Sequence, residues 1–246
     1  MSNKTHTVII TGSSSGIGLE VARLFLKDGA NVIVHGRDAE KLDMVASALG
    51  APERVAAAAG DIGDRKTGEV LVRVAVECFG GVDVLVNNAG TFAPKPFVEV
   101  TEAELDGFLD GNLRGTYLTT QAVVRRMKQQ GQGGAIVNIG TVLIDHAIGG
   151  FPASAPLASK GGVHALTHCL AAELAPDRIR VNMVAPGVVR TPLHANVDVD
   201  AFGGIALLNR VGEGQEIAEA VRYLVGAEFV TGHILPVDGG FVSGRA

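Results

Sequence analysis

Short apolar runs rich in β-branched residues alternate with longer amphipathic segments along the whole chain, and that alternation leaves few folds open. The runs are Val8–Thr11, Asn31–His35, Arg54–Ala58, Val82–Asn87, Ala135–Ile139, Ile179–Val184 and Gly232–Pro236. Most are apolar at consecutive positions, as strands buried on both faces are. Between them lie Ile17–Lys27, Glu40–Leu49, Thr67–Phe79, Thr101–Gln130, Leu157–Leu174 and Gln215–Val225, with apolar residues three and four apart, as in helices. Strand and helix repeated in this way predict a doubly wound α/β fold: a parallel sheet of about seven strands, right-handed crossovers, helices on both faces. No linker or charge block divides the 246 residues, so 1–246 is read as one domain. The less regular stretch 191–214 is read as a lid over the carboxyl ends of the strands.

Composition removes other classes. A net charge of −5 without any run of Lys or Arg argues against a nucleic-acid surface. No apolar stretch approaches the roughly 20 residues of a membrane helix, and no signal-like segment precedes Val8, so a cytoplasmic protein is expected. Cys78 and Cys169 lack metal-ligand spacing and are expected as small buried apolar residues. His164 and His168 stand four apart, but no third ligand accompanies them, and no metal is expected.

The first strand ends in Thr11-Gly12-Ser13-Ser14-Ser15-Gly16-Ile17-Gly18 and enters a helix. Glycine permits a sharp turn and close approach of a ligand, while the helix N-terminus offers N–H groups to a pyrophosphate. With this turn the sequence resembles the short-chain dehydrogenase/reductase family, and the likeness runs nearly the whole length. It continues through Asp61, Asn87-Asn88-Ala89-Gly90, Asn112, Lys160, Pro186-Gly187, Thr191 and Asp238-Gly239-Gly240, in that order. The resemblance implies a Rossmann-like fold, a nicotinamide cofactor, a small carbonyl or alcohol substrate, and a homotetramer or homodimer. Carried over residue by residue, it places cofactor contacts at Gly12, Ser14, Ser15, Gly16, Ile17, Gly18, Asp61 and Ile62. The same transfer adds Asn88, Ala89, Gly90, Lys160, Pro186, Gly187, Val189 and Thr191. After the second strand, Gly36 stands where an NAD-preferring relative carries a carboxylate, and Arg37 follows. A guanidinium there suits a 2′-phosphate, so NADP(H) is expected over NAD(H). The alternative for Arg37 is a solvated charge, with Asp38 capping the next helix.

At the chemical end the pattern breaks. The family's Tyr-x-x-x-Lys here reads Pro156-Leu157-Ala158-Ser159-Lys160, with proline at the tyrosine position. The only two tyrosines, Tyr117 and Tyr223, have no lysine four residues on. Thr141 replaces the family's serine, and Asn112 and Lys160 complete the expected catalytic positions. A proton could come from His146, an imidazole of the kind suited to acid–base work but read first as a surface-loop residue. It could also come from Lys160 if burial lowers its pKa, although the resemblance assigns Lys160 to the cofactor's ribose, or from a relayed water. Ser154 is expected to cap the helix that Pro156 enters, and Ser159 to lie on that helix's surface. Two functions stay open: an NADP(H)-dependent oxidoreductase with an altered acid, and a non-redox NADP(H)-binding protein.

Overall fold

The computed structural model describes residues 6–195 and 197–244. Strands β1 (Thr7–Ile10), β2 (Asn31–Gly36) and β3 (Val55–Ala59) alternate with helices α1 (Gly16–Lys27), α2 (Ala39–Leu49) and α3 (Arg65–Phe79). Then come β4 (Val84–Asn87), α4 (Glu102–Phe108), α5 (Gly115–Gln130), β5 (Gly134–Ile139), α6 (Ser154–Leu174) and β6 (Ile179–Pro186). The chain continues through β7 (Val189–Arg190), β8 (Gly212–Glu213), α7 (Gly214–Gly226) and β9 (Ile234–Val237). Seven strands form one parallel sheet in the order β3-β2-β1-β4-β5-β6-β9. The direction of winding reverses between β1 and β4, which opens a crevice at their carboxyl ends, the place where such sheets bind ligands.

The consecutive apolar residues of β1 show why this sheet is covered twice. Val8 and Ile10 pack toward α1 and α7 with Val21, Phe25, Ile217 and Val221. Ile9 points the other way, into a cluster with Leu71 of α3, Val123 of α5 and Leu174 of α6. Each aliphatic side chain buried this fully contributes roughly 1.5–3 kcal/mol. Polar residues also enter this core. Asn87 and Asn138 stand opposite one another in β4 and β5. The Asn87 amide donates to Thr120 Oγ1 and Asn138 Oδ1, and Asn138 donates to Thr167 Oγ1, all at 2.9 Å.

Several expectations need correction. The segment Thr101–Gln130 is not one regular helix: a π-helical stretch, Leu109–Arg114, separates α4 from α5. That widened turn carries Asn112, 1% exposed, whose side chain is held from inside by long-range partners. Secondly, Cys78 and Cys169 are exposed. Cys78 lies in the last turn of α3, and Cys169 on the face of α6 opposite its buried Val163, Thr167 and Ala171. Thirdly, Ser154 is the first helical residue of α6; Ala153 is the cap, and no side chain caps this end. The segment 191–214 holds short 3₁₀ turns at Pro192–His194 and Val199–Ile205 between β7 and β8; Asn196 within it lies outside the described residues.

Candidate active site

The turn after β1 is built to leave backbone donors free. Ser15 precedes α1 in an extended conformation, its hydroxyl makes no capping bond, and the first turn of α1 has no acidic residue. The orphan N–H groups and the positive end of the helix dipole therefore meet no anion of the chain's own. Gly12 takes a φ of +63°, and a Cβ there would sit 2.7 Å from Ala89 Cα. A Cβ on Gly18 would fall 2.5 Å from Asn88 Nδ2 and 2.6 Å from Gly12 O. These glycines let the turn nest against the end of β4. Asn88 Nδ2 donates to the carbonyls of Thr11 and Gly12, both at 2.9 Å. Thr11 Oγ1 accepts from the N–H groups of Asn88 and Ala89, both at 3.0 Å. A free helix N-terminus with glycine approach fits the pyrophosphate of a dinucleotide.

Around this turn stand the other expected cofactor residues. Ser14 lies against Gly36, where a Cβ would meet Ser14 Oγ at 3.2 Å. Arg37 is exposed, and Asp38 Oδ1 caps α2 by accepting from Lys41 N at 3.0 Å. Exposed Asp61 accepts from Gly63 N at 2.9 Å, while buried Ile62 packs under Gly115 at the start of α5. Ile17 packs onto the α1 and α7 core. Pro186 ends β6, and Gly187 N donates to Val237 O at 3.0 Å. Val189 is buried, and Thr191 reaches back to Gly16, where a Cβ would lie 3.5 Å from Thr191 Cβ.

Sequence reasoning missed His35. Its ring, 2% exposed, accepts from Gly12 N through Nδ1 at 3.2 Å and faces Gly60 O through Nε2 at 3.2 Å. Burial pushes its pKa below the usual histidine value, against smaller upward effects of the Gly60 carbonyl and Asp61. The available signal was a polar ring inside a run that should be buried on both faces.

Asn112 and Lys160 both point toward Gly90, just past the end of β4. Asn112 Oδ1 accepts from Thr91 N at 2.8 Å, and Asn112 Nδ2 donates to Thr91 O at 3.0 Å and Ser159 Oγ at 2.9 Å. Ser159 is fully buried, contrary to the surface position expected for it, and donates to Pro156 O at 2.8 Å. The bond to Asn112, from another element, is what turns it inward. Lys160 Nζ donates to Ile139 O at 2.7 Å. Gly90 lies against both groups: a Cβ there would sit 2.7 Å from Asn112 Oδ1 and 3.3 Å from Lys160 Nζ. Desolvation lowers the Lys160 pKa from 10.5 to about 8. Pro156 is the third residue of α6 and is buried. Proline costs nothing in hydrogen bonding there, because N–H groups of the first turn have no intrahelical acceptor.

Thr141 follows β5, and its hydroxyl accepts from Leu143 N at 3.3 Å, which leaves its proton free to donate. His146 lies on the same loop, its ring edge-on to Phe241 with centroids 5.0 Å apart. No hydrogen bond or ion pair joins the His146 side chain to Thr141, Asn112 or Lys160 among the described residues. Leu143 joins a small cluster with Val142, Ala185, Phe241 and Ile205, while Phe151 stacks on Phe92 at 6.2 Å. Among the described residues, no group of three or more His, Cys, Asp or Glu is arranged to hold a metal. No helix among them is long and apolar enough to cross a membrane.

Comparison with known proteins agrees with this geometry. The sequence profile described as enoyl-(acyl carrier protein) reductase matches residues 12–242. The 3-oxoacyl-(acyl-carrier-protein) reductase FabG of Thermotoga maritima is 38% identical over 241 residues, covering 95% of this chain and 96% of that protein. The L-rhamnose 1-dehydrogenase (NAD(P)(+)) of Azotobacter vinelandii is 37% identical, with 95% of each chain covered. A short-chain type dehydrogenase/reductase from Mycobacterium marinum superposes with a TM-score of 0.89 at 31% identity, over 97% of this chain and 96% of its own. Relatives of this kind are oxidoreductases that use a nicotinamide cofactor on small molecules. A sheet wound about a Gly-rich turn, with Asn112 and Lys160 against Gly90, thus has its explanation: the chain belongs to the short-chain dehydrogenase/reductase family.

Proposed function

We propose that the chain is an NADP(H)-dependent oxidoreductase that interconverts a carbonyl and an alcohol with an active site that lacks the family's tyrosine, Pro156 standing in its place. The observation that carries this reading is the buried Lys160 ammonium, held beside Asn112 with a pKa of about 8. Lys160 also stands among the expected cofactor contacts, so the charge serves binding as well as proton transfer. Bound cofactor supplies or accepts the hydride. Thr141 donates its free hydroxyl proton in a hydrogen bond to the substrate oxygen. Lys160 passes a proton to that oxygen as the carbonyl is reduced and takes it back in the reverse direction, Asn112 fixing its surroundings. His146 is the rival proton source. Its place in the loop that follows Thr141, with its ring against Phe241, supports that rival reading, and His146→Ala separates the two.

Preference for NADP(H) rests on Arg37 and on the side-chain-free Gly36, which leaves Ser14 and Arg37 to face a 2′-phosphate. Gly12, Ser15, Gly16, Ile17 and Gly18 take the pyrophosphate. Asp61 and Ile62 take the adenine, and Asn88, Ala89, Gly90, Pro186, Gly187, Val189 and Thr191 line the remainder. Residues 1–246 act as one domain, with 191–214 as a lid. Arg190 ties that segment together by binding Asp200 at 2.5 Å and Glu213 at 3.1 Å. Exposed Tyr117 on α5 and Tyr223 on α7 support a homotetramer or homodimer formed through those helices. A cytoplasmic location agrees with two exposed free thiols.

A non-redox NADP(H)-binding role is the second reading, favoured by Pro156, which has no proton to give. The deciding experiment supplies NADPH deuterated at its transferable C4 position to the protein with a panel of ketones, aldehydes and quinones. Deuterium in a product, absent with Lys160→Ala, supports the enzyme; tight binding with no transfer, rescued by Pro156→Tyr, supports the second reading.

A further inference from the structure

We infer that His35 is a positioning residue for the dinucleotide turn, and that its uncharged ring, protonated at Nε2, is the form that holds Gly12 ready for the cofactor. The inference rests on reading the turn as a dinucleotide site. Gly12 N–H donates to Nδ1, so that nitrogen must present its lone pair, and the ring hydrogen sits on Nε2, from which it is donated to Gly60 O. The same residue is held by its backbone, since His35 N donates to Ser13 Oγ at 2.9 Å and Ser13 Oγ donates to Ile10 O at 2.8 Å. One ring thereby fastens the turn after β1 to the loop after β3 that carries Asp61, two sides of the same crevice.

A second ring proton must go onto Nδ1. Two N–H groups would then face each other where one hydrogen bond had been, and Gly12 would have to move. Asp61 is the ionisable group that acts on the ring from a neighbouring element, and it favours the charged form; burial opposes it and prevails. Between Thr11 and Gly18 the turn has no ionisable side chain. Because folding lowers this pKa, the neutral ring and the ordered turn persist above the ordinary histidine range and are lost as pH falls through the depressed value. Below it, dinucleotide affinity should fall by about tenfold per pH unit.

The test measures NADPH and NADH dissociation constants from pH 8 to pH 5 for the wild type and for His35→Asn, whose Oδ1 can accept from Gly12 N without titrating. The expected result is a wild-type affinity that falls on acidification beyond any change seen in His35→Asn. A second readout needs no cofactor and no variant. Long-range proton–nitrogen NMR of the ring should show the Nε2–H tautomer at pH 7.5, and exchange protection of the Gly12 and Ser13 amides should drop as the ring titrates. An Nδ1–H tautomer, or wild-type affinity as flat as that of His35→Asn, overturns the proposal and leaves the cofactor reading intact. Failure of the wild type to bind either dinucleotide at pH 8 overturns the cofactor reading, and this role with it.

Discussion

Replacing Lys160 with methionine should make the folded protein more stable at neutral pH while abolishing its turnover. Folding lowers the lysine pKa from 10.5 to about 8 by desolvation alone. At about 1.4 kcal/mol for each tenfold change in proton affinity, the buried ammonium costs about 3 kcal/mol wherever it is charged. Methionine keeps most of the side-chain volume and removes that cost. It also removes the donor to Ile139 O, a loss of about 1–2 kcal/mol. The net gain at pH 7 is roughly 1–2 kcal/mol, or a rise of roughly 2–8 °C in Tm for a chain of this size. The sign of the pH dependence follows. Between pH 8 and 10.5 the unfolded chain binds more protons at this lysine than the folded one, so wild-type stability gains as pH rises through that window. By pH 10.5 the penalty is gone and the variant should be the less stable protein. Denaturant titrations of both proteins at pH 7 and pH 10, with turnover measured alongside, provide the test. A variant destabilised equally at both values would show that the ammonium carries no burial penalty and would remove the basis for its role as proton donor.

Other expectations are more local. Arg37→Ala should weaken NADPH binding by roughly tenfold to a hundredfold, the worth of a charge-assisted contact, with NADH unchanged; equal loss for both cofactors would exclude a 2′-phosphate contact. Gly18→Ala should cost about 1–3 kcal/mol through overpacking, because its methyl would strike Asn88 Nδ2 and Gly12 O; calorimetry and cofactor titration would both register it. Leu85→Ala, at a fully buried site in the core under α3 and α5, should cost about 2–5 kcal/mol by chemical denaturation. Asp200→Asn removes an exposed partner of Arg190 and should change stability by less than about 1 kcal/mol, yet raise KM if the segment it ties down covers the substrate.

The strands were legible because nothing else in a chain of this kind is apolar at every position, and each expected strand forms with its ends displaced by at most two residues. The Gly-rich turn was legible because its neighbours in sequence are also its neighbours in space. What escaped depends on distant partners. The apolar spacing of Thr101–Gln130 is the same with or without a π-helical turn; the turn holds Asn112, which binds residues 21 and 47 positions away. Ser159 reads as a surface residue until that amide is brought to it. His35 reads as a strand residue until Gly12 and Gly60, 23 and 25 positions away, close on its ring. The exposed cysteines show the opposite limit, since residue type alone said nothing about which side of its helix each would occupy.

The bond between the amides of β4 and β5 does more than join two polar groups. The two strands read Val-Leu-Val-Asn and Gly-Ala-Ile-Val-Asn-Ile, and their aliphatic residues would pack almost as well after a slide along the strand. A slide by one residue turns a side chain to the wrong face, but a slide by two does not. Asn87 and Asn138 distinguish the correct alignment, since any other would break the bond between them and set an amide against a valine or isoleucine of the neighbouring strand. The ladder thus works as a key cut into an otherwise smooth pair of strands. It sets the height at which Ile139 O emerges beneath Lys160 and at which Asn88 meets the turn after β1.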